Sequence, residues 1–370
     1  MERKLLFVAS TQGHLLHFHL PYLRALKEQG WIIHTACGGE AVIPHADHSL
    51  SLPFEKKLFA CGNFRAAALL RKAVKAERYD LMIAHTSLAA FFSRLALLGL
   101  KHRPRVVNMV HGYLFDDQTS PLKMALLLGA EKVTAPVTDL ILTMNHWDHE
   151  AAQKHHLGKR IAAIPGIGVD FSRLDLQKDR SLRAELGIPQ DSFVLIYPAE
   201  FSARKSQSVL LHAMTLLPDH AILILPGSGV LLDSCKALAQ QIGISHRVIF
   251  PGYLTEMGKW YAAADAAVSA SRIEGLPFNV MEAMYCGLPV VASEVKGHTD
   301  LIRNGENGLL YPYGDHKACA EQISRLISSP DSLHRMGEQG YADAEAYALE
   351  QVFPQVMEQY ESMMGIPTMK

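Results

Sequence analysis

Glu274 and Glu282 stand eight positions apart around the turn-rich segment Gly275-Leu-Pro-Phe-Asn279. An apolar run precedes this segment and a helical pattern follows it. Its backbone N–H groups therefore belong to a helix start, where they lack intrahelical acceptors and lie at the positive end of the helix dipole. A phosphate or a sugar oxygen suits such an end. Glu274 sits before the helix and Glu282 roughly one turn inside it, so the two carboxylates can accept hydrogen bonds from hydroxyls on separate parts of one elongated ligand. A hexose joined to a ribose through phosphates has that shape.

The elements that must carry these residues are legible in the same way. Short aliphatic runs over 5–9, 32–37, 81–84, 106–110 and 140–144 alternate with longer helical patterns. The rhythm restarts after a polar stretch at 170–190, with runs over 193–197, 221–225, 248–250, 266–269 and 290–292. This alternation predicts α/β architecture with parallel sheets covered on both faces. A chain of 370 residues, 49% of them hydrophobic, suits two cores. The Pro and Gly residues of Ile164-Pro-Gly-Ile-Gly-Val-Asp170 mark the crossing between them near Gly166. A last helix is expected over 347–364, broken or kinked at Pro354. Open parallel sheets place their functional loops at the carboxyl ends of strands, so a cleft between two such domains is the natural ligand site.

Glu274-x7-Glu282, with Gly275-Leu-Pro and Gly287-Leu-Pro-Val-Val-Ala292, resembles the retaining glycosyltransferases of family 4 over nearly the full chain. The resemblance implies the GT-B fold: two Rossmann-like, doubly wound parallel-sheet domains facing a central cleft. Residues 1–165 would hold the acceptor, with a C-terminal helix in 347–370 packing back on them, and 166–346 would hold the nucleotide sugar. It further implies that Glu274 contacts hydroxyls of the donor sugar, Glu282 the nucleotide ribose, and the amides along Gly275, Leu276, Pro277, Phe278 and Asn279 the sugar and diphosphate.

Pro198-Ala-Glu200-Phe-Ser-Ala-Arg204-Lys205 resembles the family's Gly-Arg-Leu-x-x-x-Lys-Gly element, and Lys205 aligns with the lysine that neutralises the donor diphosphate. Glu200 stands where many members have Arg, and Arg204 is the candidate substitute. Gly227, Ser228 and Gly229 resemble the glycine-rich turn beside the nucleotide, and Tyr253 the residue near the base. His111, before Gly112, resembles the histidine of members acting on capsule and exopolysaccharide precursors, which implies contact with the donor hexose near the reacting centre. Gly13 matches a small glycine loop that admits donor phosphate and acceptor, with His14 beside it on the acceptor side. The implied catalytic set is His111, Glu274 and Lys205.

The implied reaction is retaining transfer of a hexose or N-acetylhexosamine from a nucleotide-diphosphate sugar, UDP-linked, to a growing polyprenyl-diphosphate-linked saccharide of a bacterial surface polysaccharide. No carboxylate is placed as a nucleophile, which favours same-face substitution with the leaving phosphate as base. Two other classes stay open on these residues: a non-catalytic partner of another transferase, to which Glu200 lends weight, and a sugar-nucleotide epimerase.

Lys and Arg number 36 against 37 Asp and Glu, a net charge of -1, which excludes nucleic-acid binding driven by bulk charge and an acidic disordered chain. The charge is uneven: 20 basic against 13 acidic residues over 1–165, and 16 against 24 thereafter. Arg65, Arg71, Lys72 and Lys75 lie among alanines and leucines in 63–79, an amphipathic basic helix suited to anionic headgroups. Peripheral contact with the anionic inner membrane is expected. Five widely spaced cysteines without a Cys-x-x-Cys pair indicate a reducing, cytoplasmic location. The run at 5–9 is too short for a secretory core, and 88–100, interrupted by Ser93 and Arg94, falls short of the roughly 20 residues a membrane span needs. His14, His17 and His19 raise the question of a metal. With no adjoining Cys or carboxylate, and no Asp-x-Asp anywhere, no metal or other cofactor is expected.

Overall fold

The computed structural model describes residues 3–40, 42–174 and 180–365. Its contacts divide the chain into two units, one of residues up to Ile167 together with those from Val352 onward, the other Gly168–Gln351.

The first unit is built on seven parallel strands: β1 (Lys4–Thr11), β2 (Ile32–Gly38), β3 (His48–Ser51), β4 (Leu81–His85), β5 (Arg105–Val110), β6 (Leu140–Thr143) and β7 (Arg160–Ala163). They lie in the order β3-β2-β1-β4-β5-β6-β7. Central strands read as continuous apolar runs because helices cover both faces; every residue of β4 and β6 is buried. Outer strands read differently. The sequences HSLS of β3 and RIAA of β7 are edge strands, half exposed and short of β-branched residues, which is why the apolar rhythm does not predict them.

The second unit has six parallel strands: β8 (Phe193–Ile196), β9 (Ala221–Pro226), β10 (Val248–Gly252), β11 (Ala266–Ser269), β12 (Val290–Ser293) and β13 (Gly308–Tyr311), in the order β10-β9-β8-β11-β12-β13. β13 is also an edge strand that the rhythm misses, a four-residue run bracketed by Gly and Asn turns. Each sheet reverses its strand order once, between β1 and β4 in the first unit and between β8 and β11 in the second. In open α/β sheets the loops beyond the carboxyl ends of strands at such a switch point diverge and leave room for a ligand. These two places are where the site residues collect. Both units have the Rossmann-like, doubly wound form of the GT-B fold.

The apolar stretch 88–100 forms the helix Ser87–Leu95 and a following turn, with Arg94 fully buried. Its guanidinium donates to both carboxylate oxygens of Glu131, at 3.1 and 2.9 Å, and to the Ala90 carbonyl at 3.0 Å. No helix among the described residues is long and apolar enough to cross a membrane. The last helix, Leu349–Met364, runs through Pro354 instead of stopping there. Proline at the sixth helical position removes a single early N–H, which the rest of the helix tolerates because its apolar face is buried. Phe353 stacks on Tyr22 at 5.0 Å and Tyr360 meets Phe7 edge-on at 6.3 Å, so these later turns pack on the first unit's core.

Candidate functional site

The switch point of the second unit joins the segments after β8 and β11. Tyr197, directly after β8, donates its hydroxyl to the Lys205 carbonyl at 3.2 Å and lies 2.8 Å from Ser271 Oγ. The Arg272 amide donates to the Arg204 carbonyl at 2.8 Å. These bonds bring Lys205, Arg204 and Glu274 to one spot. Glu274 is buried, the Lys205 ammonium donates to its Oε1, and an Arg204 guanidinium nitrogen is 3.8 Å from its Oε2. Burial alone would raise the Glu274 pKa. The neighbouring Lys205 and Arg204 charges outweigh it and hold the carboxyl at about 2. Glu274 is therefore ionised at neutral pH and can only accept hydrogen bonds, as sugar hydroxyls require.

Two residues behind Glu274 escape a reading of the motif. Gly297 has φ +84°, and a Cβ there would stand 2.8 Å from both Glu274 Cβ and the Gly275 carbonyl oxygen. No larger residue fits. His298, fully buried, donates Nδ1–H to the Ser293 carbonyl at 2.8 Å, which leaves Nε2 to accept from Ser269 Oγ at 2.9 Å.

Glu282 lies in the helix Phe278–Tyr285 and accepts a hydrogen bond from the Tyr261 hydroxyl at 2.8 Å. Burial raises its pKa to about 7 against the lowering effect of that bond. The two carboxylates thus differ: one is locked as an anion, the other is poised between forms at neutral pH. Pro277 is the N-cap of this helix and its carbonyl accepts from Val280 and Met281 at 3.2 and 3.3 Å. Because Pro277 has no N–H, the segment Gly275 to Asn279 carries four backbone N–H donors.

Gly227 and Gly229, at φ +146° and +150°, let the turn after β9 run against the segment after β8. A Cβ on Gly227 would stand 2.0 Å from the Ala199 carbonyl oxygen. The Ser228 carbonyl accepts from the Phe201 amide at 2.9 Å, and the Gly227 amide donates to the Gly252 carbonyl at 2.7 Å. The ends of β8, β9 and β10 are so joined into one rim, from which Tyr253 projects with 65% of its surface exposed. The Glu200 side chain is also exposed, and its carbonyl accepts from Gln207 Nε2 at 2.9 Å.

In the first unit, His111 follows β5 and His85 ends β4; His85 Nδ1 and His111 Nε2 are 3.1 Å apart. His14 and His19 complete the group, with Nε2 atoms 3.2 Å apart. His14 is therefore a neighbour of His111. Gly13 lies in the first turn of the helix Gln12–Phe18 and not in a loop, because Thr11 ends β1 and caps the helix at once. On the basic helix, Cys61–Glu77, the side chains of Arg65, Lys72 and Lys75 are exposed. Arg71 departs from the expectation: its guanidinium donates to the Ala96 and Leu98 carbonyls at 2.7 and 2.8 Å and is occupied within the fold. His14 and His19, five positions apart, raise the question of a metal already in the sequence, whereas His85 is not singled out there, since it and His111 follow separate strands and only the strand order brings them to the other two rings.

Residues 21–173 match the family described as Glycosyltransferase Family 4, and residues 178–343 match Glycosyl transferases group 1. A Bacillus subtilis (strain 168) protein named "Putative glycosyltransferase EpsD" is 32% identical over all of this chain and 99% of its own. An Escherichia coli protein named UDP-Gal:alpha-D-GlcNAc-diphosphoundecaprenol alpha-1,3-galactosyltransferase is 26% identical over 70% of this chain and 68% of its own. Among solved structures, Anabaena HepE in complex with UDP and glucose superposes with a TM-score of 0.77 at 22% identity, covering 98% of this chain and 100% of that one.

Proposed function

The chain belongs to the glycosyltransferases, with a family 4 and a group 1 domain on the GT-B fold, and on that premise we propose that it moves a hexose or N-acetylhexosamine from a UDP-linked donor to a polyprenyl-diphosphate-linked saccharide, with retention of the anomeric configuration. The observation that carries the reading is the ionised Glu274 held between Lys205 and Arg204 at the second unit's switch point. The HepE complex with UDP and glucose supports the donor class, and the E. coli relative's diphosphoundecaprenol acceptor supports the acceptor class.

In this reaction the bond from the anomeric carbon to the diphosphate oxygen breaks, and the acceptor hydroxyl oxygen bonds that carbon from the same face. The hydroxyl proton passes to the departing diphosphate. Lys205 and Arg204 neutralise the charge that grows on the leaving group, a stabilisation worth more in a desolvated site than in water. Glu274 accepts from hydroxyls of the donor sugar and orients it. Glu282 accepts from the ribose hydroxyls, the amides of Gly275, Leu276, Phe278 and Asn279 face the sugar and diphosphate, and the rim at Gly227, Ser228, Gly229 and Tyr253 lies by the nucleoside. His111 is the first unit's candidate for the donor hexose. Arg65, Lys72 and Lys75, beside the exposed Phe59 and Phe64, offer charge and apolar surface to the membrane that carries such an acceptor.

The test is purified protein with UDP-, GDP- and ADP-sugars and a short-chain polyprenyl-diphosphate saccharide. Acceptor-dependent UDP release, with a product of the donor's anomeric configuration by NMR, is expected. UDP release without a new glycosidic bond, or an inverted product, contradicts the reading.

A further inference from the structure

Four histidines meet at the first unit's switch point: His14 in the helix after β1, His19 at the junction with the next helix, His85 at the end of β4 and His111 just after β5. One ring nitrogen of each lies within 4.8 Å of one nitrogen of every other. The ring centroids are 3.9 to 5.9 Å apart. His19 and His85 are fully buried, and His14 and His111 partly so.

Hydrogen bonding within the group does not account for it. His14 and His19 meet nitrogen to nitrogen, as do His85 and His111, and each such pair can share only one proton. His19 Nδ1 and His85 Nε2 are buried and without any partner. In the set His14 Nε2, His19 Nε2, His85 Nδ1 and His111 Nε2, these two are the ring nitrogens opposite the ligand atoms. Burial, joined by the charges of neighbouring rings, holds His19, His85 and His111 well below the ordinary histidine range, and burial with the nearby His17 holds His14 at about 4. Two of the nitrogen separations, 3.1 and 3.2 Å, are close to the edge of about 3.3 Å of a tetrahedron with Zn–N bonds of about 2.0–2.1 Å, and the others lie within 4.8 Å.

We propose that His14, His19, His85 and His111 form a four-nitrogen tetrahedral site for Zn²⁺. Four protein ligands leave no open position, so the ion is structural. It fastens the helix after β1 to the ends of β4 and β5. A coordinating His111 keeps its second ring nitrogen for a donor or acceptor hydroxyl, with its tautomer fixed by the metal. The proposal does not rest on the transfer reaction and is read without it.

The experiment uses the full chain without a histidine tag, stripped with a chelator and titrated with Zn²⁺ alone or with Co²⁺ as the spectroscopic probe. One equivalent of zinc, a raised melting temperature and the intense visible bands of tetrahedral Co²⁺ are expected. His85→Ala and His19→Ala each lose all three. His14→Gln, at a partly buried ring, repeats the loss should those buried variants fail to fold. His17→Ala, whose Nδ1 meets the Gly13 carbonyl at 2.6 Å outside the group, keeps them. No zinc bound at equimolar micromolar concentrations, an octahedral Co²⁺ spectrum, or equal binding by all variants overturns the proposal and leaves two hydrogen-bonded histidine pairs.

Discussion

The two glutamates of the motif are chemically unlike, and their difference makes distinct predictions. Lys205 and Arg204 keep Glu274 ionised down to about pH 2. Lys205→Ala removes its closest cation, and the expected loss is about 10²–10³ in kcat, the range for deleting one donor to a developing anion; steady-state kinetics beside a melting curve separate this from unfolding. Glu282 has a pKa raised to about 7 by burial, so below that pH the free protein holds a proton that a ribose hydroxyl must displace. UDP affinity should fall up to tenfold per pH unit below about 7, with proton release on binding, and the slope should flatten in Glu282→Gln. Titration calorimetry in two buffers of different ionisation enthalpy reads both. Glu274, Glu282 and Lys205 stand out in the sequence because one motif carries them. Gly297 and Tyr261 do not, since each reaches its carboxylate from elsewhere in the chain and only the folded contact gives it meaning.

Within each unit, elements are joined by a few buried polar ties. Arg94 and Glu131 join the helix Ser87–Leu95 to the helix Pro121–Thr134 in a pair almost wholly removed from water. Glu131→Ala leaves the Arg94 guanidinium without its counterion in that interior, and a loss of roughly 3–5 kcal/mol is expected from urea unfolding. Arg94→Met with Glu131→Leu should recover much of it, because two apolar residues leave no buried charge. Central strands were legible as runs of buried aliphatic residues. β3, β7 and β13 were not, because an edge strand is set by pairing with its neighbour more than by its own composition. The histidine group was legible only in part: His14 and His19 lie close in sequence after β1, whereas His85 and His111 stand at the ends of β4 and β5 and meet them only through the strand order.

For the whole molecule, the unequal charge of the two halves has a visible correlate on the first unit. Arg65, Lys72 and Lys75 are exposed on the helix Cys61–Glu77, with Phe59 and Phe64 exposed beside them. Binding to vesicles containing anionic lipid should weaken when Arg65, Lys72 and Lys75 are changed together to Glu, and should fall with added salt as electrostatic attachment does; a flotation assay measures it. Arg71→Ala should leave flotation unchanged and lower the melting temperature instead, since its guanidinium bonds to Ala96 and Leu98. The two-domain α/β plan was readable from the restart of the βα rhythm. Which basic residues of the helix face outward was not, because that depends on the helix turn that follows.

The central claim is that the carboxyl ends of β8 to β11 and the helix after them grip a nucleotide-linked sugar. Calorimetric titration of UDP into the wild-type chain, Glu282→Ala and Lys205→Ala tests it most directly. A single site in the wild type, weakened at least about tenfold in each variant, is the predicted result. Undiminished UDP binding in both variants, with their folding intact, would contradict it.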